Sequence, residues 1–244
     1  MNLRNYKTSN PAFNDYFWDN NSANNKMSVR GILIKSLFCI LIISLITGGV
    51  WKLHDNGYNV IWYNYGGIIG AIIISTIISY KKHLAPILVP LYAIAKGCFI
   101  GGFSAYIKVK FPNMPFQAIG VTVVTFFTVF VLYQTRLIVL TKKLRSIIVT
   151  AAASIFVVYI ISWILSLFGI SDFIWGTSWV AIVFNIIAAI VASTTLLLDF
   201  DYIEHKKDKA PKSMEWFATW GLLVSLVWLY VEILRLMRNL SIKV

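Results

Sequence analysis

Residues 177–198 read TSWVAIVFNIIAAIVASTTLLL, 22 residues without a charged side chain, and the run stops at Asp199. A helix rising 1.5 Å per residue needs about 20 apolar residues to cross roughly 30 Å of hydrocarbon. Helices in soluble cores seldom carry so long an uncharged run. This one stretch therefore places the chain in a bilayer.

Working outward, six further apolar runs of similar length lie near 31–51, 61–80, 84–107, 116–134, 146–168 and 214–237. The whole chain of 244 residues is 58% hydrophobic and only 13% charged. An average soluble domain carries roughly 25% charge, so disorder and a soluble enzyme are both excluded. The expected fold is all-α, a polytopic membrane bundle of seven transmembrane helices forming one domain over 31–244. Residues 1–30 precede it as a polar, Asn-rich arm with no cleavable signal pattern. Phe13, Tyr16, Phe17 and Trp18 make one aromatic patch in that arm. The last run contains Glu232 and Arg235, so a re-entrant segment and a six-span protein stay open beside the seven-span reading.

The chain has 22 Lys and Arg against 10 Asp and Glu, a net charge of +12. No basic domain or base-stacking module stands apart from the apolar runs, so nucleic acid is not the expected partner. The charges fall in loops instead. The arm, the loops after spans two and four, and the loop after span six together hold 14 Lys and Arg, and the opposite side holds five. That asymmetry predicts a cytoplasmic N-terminus and, with seven spans, a C-terminus outside.

Gly66 with Gly70, and Gly97 with Gly101, have the GxxxG spacing that lets helices approach closely in lipid, here expected within one bundle. Cys39 and Cys98 both lie in apolar runs and read as small packing residues. His54, His83 and His205 fall in loops on two sides, and no HExxH occurs, so zinc, haem and serine-hydrolase sites find no support. Neither an enzyme nor a cofactor is expected.

Ionisable residues within spans are costly and become site candidates by default. Lys35, one turn into span one, is expected to snorkel to the interface. Lys96, midway along span three, needs a carboxylate, a carbonyl cluster or a neutral state, and an ion pair is the expectation. Asp201 and Glu204 stand three apart on one helical face, in a stretch that also reads as a solvated basic–acidic loop. Glu215 opens a helix, where its charge suits the dipole. Glu232 and Arg235 can pair within span seven. Asp199 and Glu232, flanked by apolar sequence, must each meet a cation, share a proton or stay neutral.

The C-terminal third carries a resemblance. LDFDYIE at 198–204, a short basic loop, and APKSMEWFATWGLLVSLVWLYVEILRLM at 210–237 resemble the signature of the bacterial, YccA-like branch of the transmembrane Bax inhibitor motif family. SNPAF at 9–13 and APILVPLYAIAKGCFIGGFSAYI at 85–107 are similar as well. The resemblance implies a seven-helix fold with the last helix central. It also implies a pH-sensitive calcium leak in a bacterial inner membrane, gated by two aspartates and a basic latch. Asp199 matches the aspartate ending span six. With Arg235 aligned to the family's late arginine, Ser225 stands where the second aspartate belongs, and Glu232 lies two turns further on as a substitute. Lys96 stands where relatives often carry Glu. On this reading Asp199 and Glu232 are the gate, Asp201 and Glu204 a cation mouth, and Lys96 and Arg235 ion-pair partners. The rival reading, also implied by relatives, is a non-transporting adaptor that modulates a membrane-bound ATP-dependent protease or a stress response. A secondary transporter is a third.

Overall fold

The computed structural model describes residues 26–169, 178–207 and 209–243. The aromatic patch of the arm and Asp208 lie outside them. Seven long helices follow in order: α1 Val29–Asp55, α2 Ile61–Tyr80, α3 Ala85–Lys110, α4 Met114–Gln134, α5 Lys142–Leu167, α6 Trp179–Lys206 and α7 Met214–Lys243. All seven are long and apolar enough to cross a membrane. The last run is one continuous helix of 30 residues, so the re-entrant alternative falls.

Local chemistry sets the helix ends. Ser28 caps α1 by accepting from the Gly31 amide at 3.0 Å, and Thr141 caps α5 by accepting from Leu144 at 3.2 Å. Such side chains satisfy amides that have no partner within the helix. Pro115 opens α4, where its missing N–H costs nothing. Gly57, at φ +86°, turns the chain out of α1 in a conformation that side-chain-bearing residues rarely adopt. Both α1 and α6 run several residues past their apolar stretches, because polar residues extend a helix into water as readily as they end it.

The described chain divides into two compact units. Residues 26–102 and 203–223 form the first. In it α3 packs on α1 through Gly97 and Gly101. A Cβ on Gly97 would lie 2.7 Å from Ile46 Cβ, and one on Gly101 would lie 2.7 Å from Val50 Cβ. The other glycine expectation needs correction. A Cβ on Gly66 would meet nothing within 4 Å, whereas one on Gly67 would lie 2.5 Å from the Phe99 amide nitrogen and 2.6 Å from the Ala95 carbonyl oxygen. One residue along a helix turns the side chain by about 100°, so the neighbouring glycine faces the partner. Thr47 donates to the Gly97 carbonyl at 3.2 Å, and Trp220 donates to Ser75 at 3.3 Å.

Residues 103–202 and 224–243 form the second unit. Phe200 is buried there among Phe126, Phe130 and Tyr133, with ring centroids 5.4, 5.4 and 6.0 Å away. The two phenylalanine contacts are edge-on, which suits the quadrupoles of the rings, and the Tyr133 ring is tilted. Among the spans α7 is the most buried, over 67% of its apolar window, against 39% for α3 and α6. The expectation of an inner last helix is met. Cys39 and Cys98 are free thiols, the first buried and the second half-buried.

Candidate functional site

Asp199 lies in the penultimate turns of α6, and its side chain is hydrogen-bonded by Ser225 of α7. The residue is half-buried, but its Oδ2 is fully covered and has no hydrogen-bond partner among the described residues. A covered carboxylate oxygen without a donor costs free energy, and native structures keep few of them. No described cation pairs with it. The structure thus brings together the two positions aligned with the aspartate pair, as one carboxylate and one hydroxyl.

Asp201 and Glu204 part company. Asp201 is buried and ion-paired with Arg145 of α5, whereas Glu204 is exposed and paired with Lys207 one turn on, at 2.6 Å. The expected shared face gives them different surroundings, and each already has a cation from the chain itself.

Glu232 and Arg235 do pair, and they recruit two residues that the sequence reading missed. Glu232 is fully buried. Its Oε1 accepts from the Tyr159 hydroxyl at 2.7 Å and from Trp228 Nε1 at 2.9 Å. Arg235 Nη1 donates to Glu232 Oε2 at 3.2 Å and to the Tyr159 oxygen at 2.7 Å. The guanidinium lies 4.8 Å from the centroid of the Tyr159 ring. A buried charge pair stabilises to the extent that its remaining lone pairs and protons are satisfied; Tyr159 and Trp228 supply partners for Glu232, whereas the Arg235 Nε is covered and makes no hydrogen bond among the described residues. Trp228 was findable, being four residues before Glu232 on the same face. Tyr159, on α5, gave no sequence signal. Asn185, the lone side-chain amide within residues 177–198, is fully buried, and neither its oxygen nor its nitrogen has a partner among the described residues.

The ion pair expected for Lys96 is not formed among the described residues. Its Nζ lies instead 5.5 Å from the Tyr92 ring and 5.3 Å from the Phe99 ring, one turn before and one after on α3. Lys35 is ion-paired with Glu215, which opens α7. Glu215 is fully buried. Its Oε1 accepts from the backbone amide and the hydroxyl of Ser28, at 2.9 and 3.0 Å, and its Oε2 takes Lys35. Next to it the Met27 amide donates to the Ala210 carbonyl at 2.8 Å. The start of α1 is thereby clasped to the start of α7. Among the described residues no three His, Cys, Asp or Glu stand close enough to hold a metal ion.

Seven membrane-length helices with charged clusters on their buried faces define a polytopic integral membrane protein. The family model described as Bax inhibitor 1 like matches residues 10–242, nearly the whole chain, and the chain belongs to that family. No curated protein and no solved structure gives a significant match.

Proposed function

We propose that this protein is a pH-sensitive cation leak, with calcium as the cation, or a regulator of membrane ion homeostasis built on such a leak. It would sit in a bacterial plasma membrane with its N-terminus in the cytoplasm, the side on which Lys and Arg concentrate. The observation that carries the reading is the Asp199 carboxylate, with its covered and unpartnered Oδ2. A carboxylate oxygen of that kind is served either by a proton or by a cation, so the two compete for it. Ser225 makes the gate a single titrating group, where a pair of aspartates would share protons. Glu232 is engaged by Tyr159, Trp228 and Arg235, so it supports the helix around the gate rather than replacing the missing aspartate. No catalytic chemistry is assigned.

The test is calcium flux into indicator-loaded proteoliposomes across a pH series. Asp199→Asn should flatten the pH dependence, and Ser225→Asp should turn a one-proton profile into two steps. An Asp199→Asn variant with the wild-type pH profile removes Asp199 from the mechanism.

The clasp favours a second reading, an adaptor without transport. Met27 and Lys26, at the base of the N-terminal arm, are tied to Ala210 and Pro211, so force or binding on the arm reaches the α6–α7 loop. The arm would then be the handle for a membrane-bound protease. Deleting residues up to Asn25 separates the two, because an adaptor fails and a leak still conducts.

A further inference from the structure

We propose that Asn185 and Asn239 form a binding site for a small monovalent anion of chloride size, between α6 and α7 at the end away from their connecting loop. The register of the two helices brings these residues together. Ser225, Glu232 and Asn239 stand seven apart on α7, and Asn185, Ala192 and Asp199 stand seven apart on α6. A seven-residue step drifts only about 20° around a helix, so each trio keeps to one face. Consecutive spans run antiparallel, and Asp199 is bonded to Ser225. Equal steps from that contact set the buried methyl of Ala192 against Glu232, and Asn185 against Asn239. A third helix agrees with this level. The Tyr159 hydroxyl is bonded to Arg235, one turn before Asn239, and the Tyr159 ring lies 5.7 Å from that of Phe184, the neighbour of Asn185. All of these residues belong to the second unit.

Both asparagines are fully buried. The Asn239 carbonyl accepts from Arg238 Nε at 3.1 Å and from its Nη2 at 2.9 Å. A guanidinium only donates, so the oxygen end of this amide must face Arg238. Its Nδ2 is left on the other branch, covered and with no hydrogen bond among the described residues. The bonded guanidinium also polarises the amide and strengthens its N–H groups as donors. Asn185 has neither end engaged, so its amide can turn its own N–H groups to the seam without breaking a bond. Its flanking residues on that face, Ala181 and Ala188, are small and buried. Four N–H groups on two facing helices are therefore without an acceptor among the described residues. Unmet buried donors are costly, and one anion answers all four. The charge has the matching sign. Arg235 and Arg238 bring two positive charges against the carboxylate of Glu232, and the other described acids of this unit, Asp199 and Asp201, lie about 21 Å or more back along α6. A cation would face both guanidiniums. The site is also shallow, since Asn185 is six residues into α6 and Asn239 four from the end of α7, about 9 and 6 Å along the helices.

The experiment measures equilibrium binding of radiolabelled chloride to the full-length protein, purified in detergent and gluconate buffer. Wild type should bind one chloride per chain, saturably, and release it to bromide. Asn185→Leu and Asn239→Leu should each weaken binding about tenfold or more, the loss that follows removal of one donor to a charged group. Asn239→Asp should abolish binding, because a carboxylate replaces the donor. Its pairing with Arg238 keeps the helix in place, so this variant carries the test if the leucine variants fail to fold. Bromide, located by anomalous scattering in wild-type crystals, should lie between residues 185 and 239. Wild type that binds no chloride, or variants that bind it as tightly as wild type, overturn the inference. So does bromide found only elsewhere, with water between the two amides. The site stands about 21 Å along α6 from Asp199, so either result leaves the leak reading to its own test.

Discussion

Gly31→Ala should destabilise the protein although it replaces glycine by the best helix former. Within a helix that exchange normally gains up to about 1 kcal/mol. Here the new Cβ would stand 2.3–2.4 Å from the Glu215 carboxylate, so the carboxylate must move. A carboxylate at the end of a flexible side chain often moves cheaply, but this one is fully buried and held by the Ser28 amide, the Ser28 hydroxyl and Lys35. Hydrogen bonds to charged groups contribute about 1.5–3 kcal/mol each. Losing one or two of them outweighs the helical gain and leaves a net loss of about 1–4 kcal/mol. Thermal unfolding in detergent, followed by tryptophan fluorescence, reads the change. Gly48→Ala is the matched control, since nothing lies within 4 Å of its Cβ and it should melt at or slightly above wild type. In a Glu215→Ala background the added Gly31→Ala should cost nothing, because contacting residues couple and the contact is then gone. If Gly31→Ala alone melts as high as Gly48→Ala, the clasp is not closed as described.

Three further outcomes are expected in the same assay. Arg235→Met strands Glu232 in a buried site and should cost about 3 kcal/mol, with the Glu232→Leu/Arg235→Met double variant recovering much of the loss. Gly67→Ala should cost about 1–3 kcal/mol because its Cβ meets backbone atoms of Ala95 and Phe99, which cannot step aside, whereas Gly70→Ala, 3.6 Å from Ala95 Cβ, should be neutral or stabilising. Arg145→Ala should cost about 1–3 kcal/mol, less than Arg235→Met because the arginine is 57% exposed, but more than a surface pair because it leaves the buried Asp201 carboxylate without this partner.

The seven spans were legible because hydropathy over 20 residues reports on the bilayer and needs no tertiary information. Their ends were less so: the start of α5 at Lys142 and the end of α6 at Lys206 lie in charged sequence that transfer energetics would exclude. The family resemblance did point to Ser225 as the partner of Asp199, and the structure brings the two together. Pairs within one helix, Glu232 with Arg235, were also readable, since spacing alone puts them on one face. Glu215 was not: its dipole position explained it locally, and nothing local pointed to Ser28, 187 residues away. Lys96 failed for the opposite reason, because rings in its own helix took the place reserved for a carboxylate.

The clasp at Glu215 also bears on biogenesis. Synthesis runs from the N-terminus, so α1 enters the bilayer long before residue 215 leaves the ribosome. Until then the Ser28 amide at the cap of α1 lacks its acceptor, and Lys35 is without its counter-ion. A nascent chain interrupted before Met214 would keep both defects permanently, giving insertion quality control a marker of incompleteness located at the opposite end of the polypeptide.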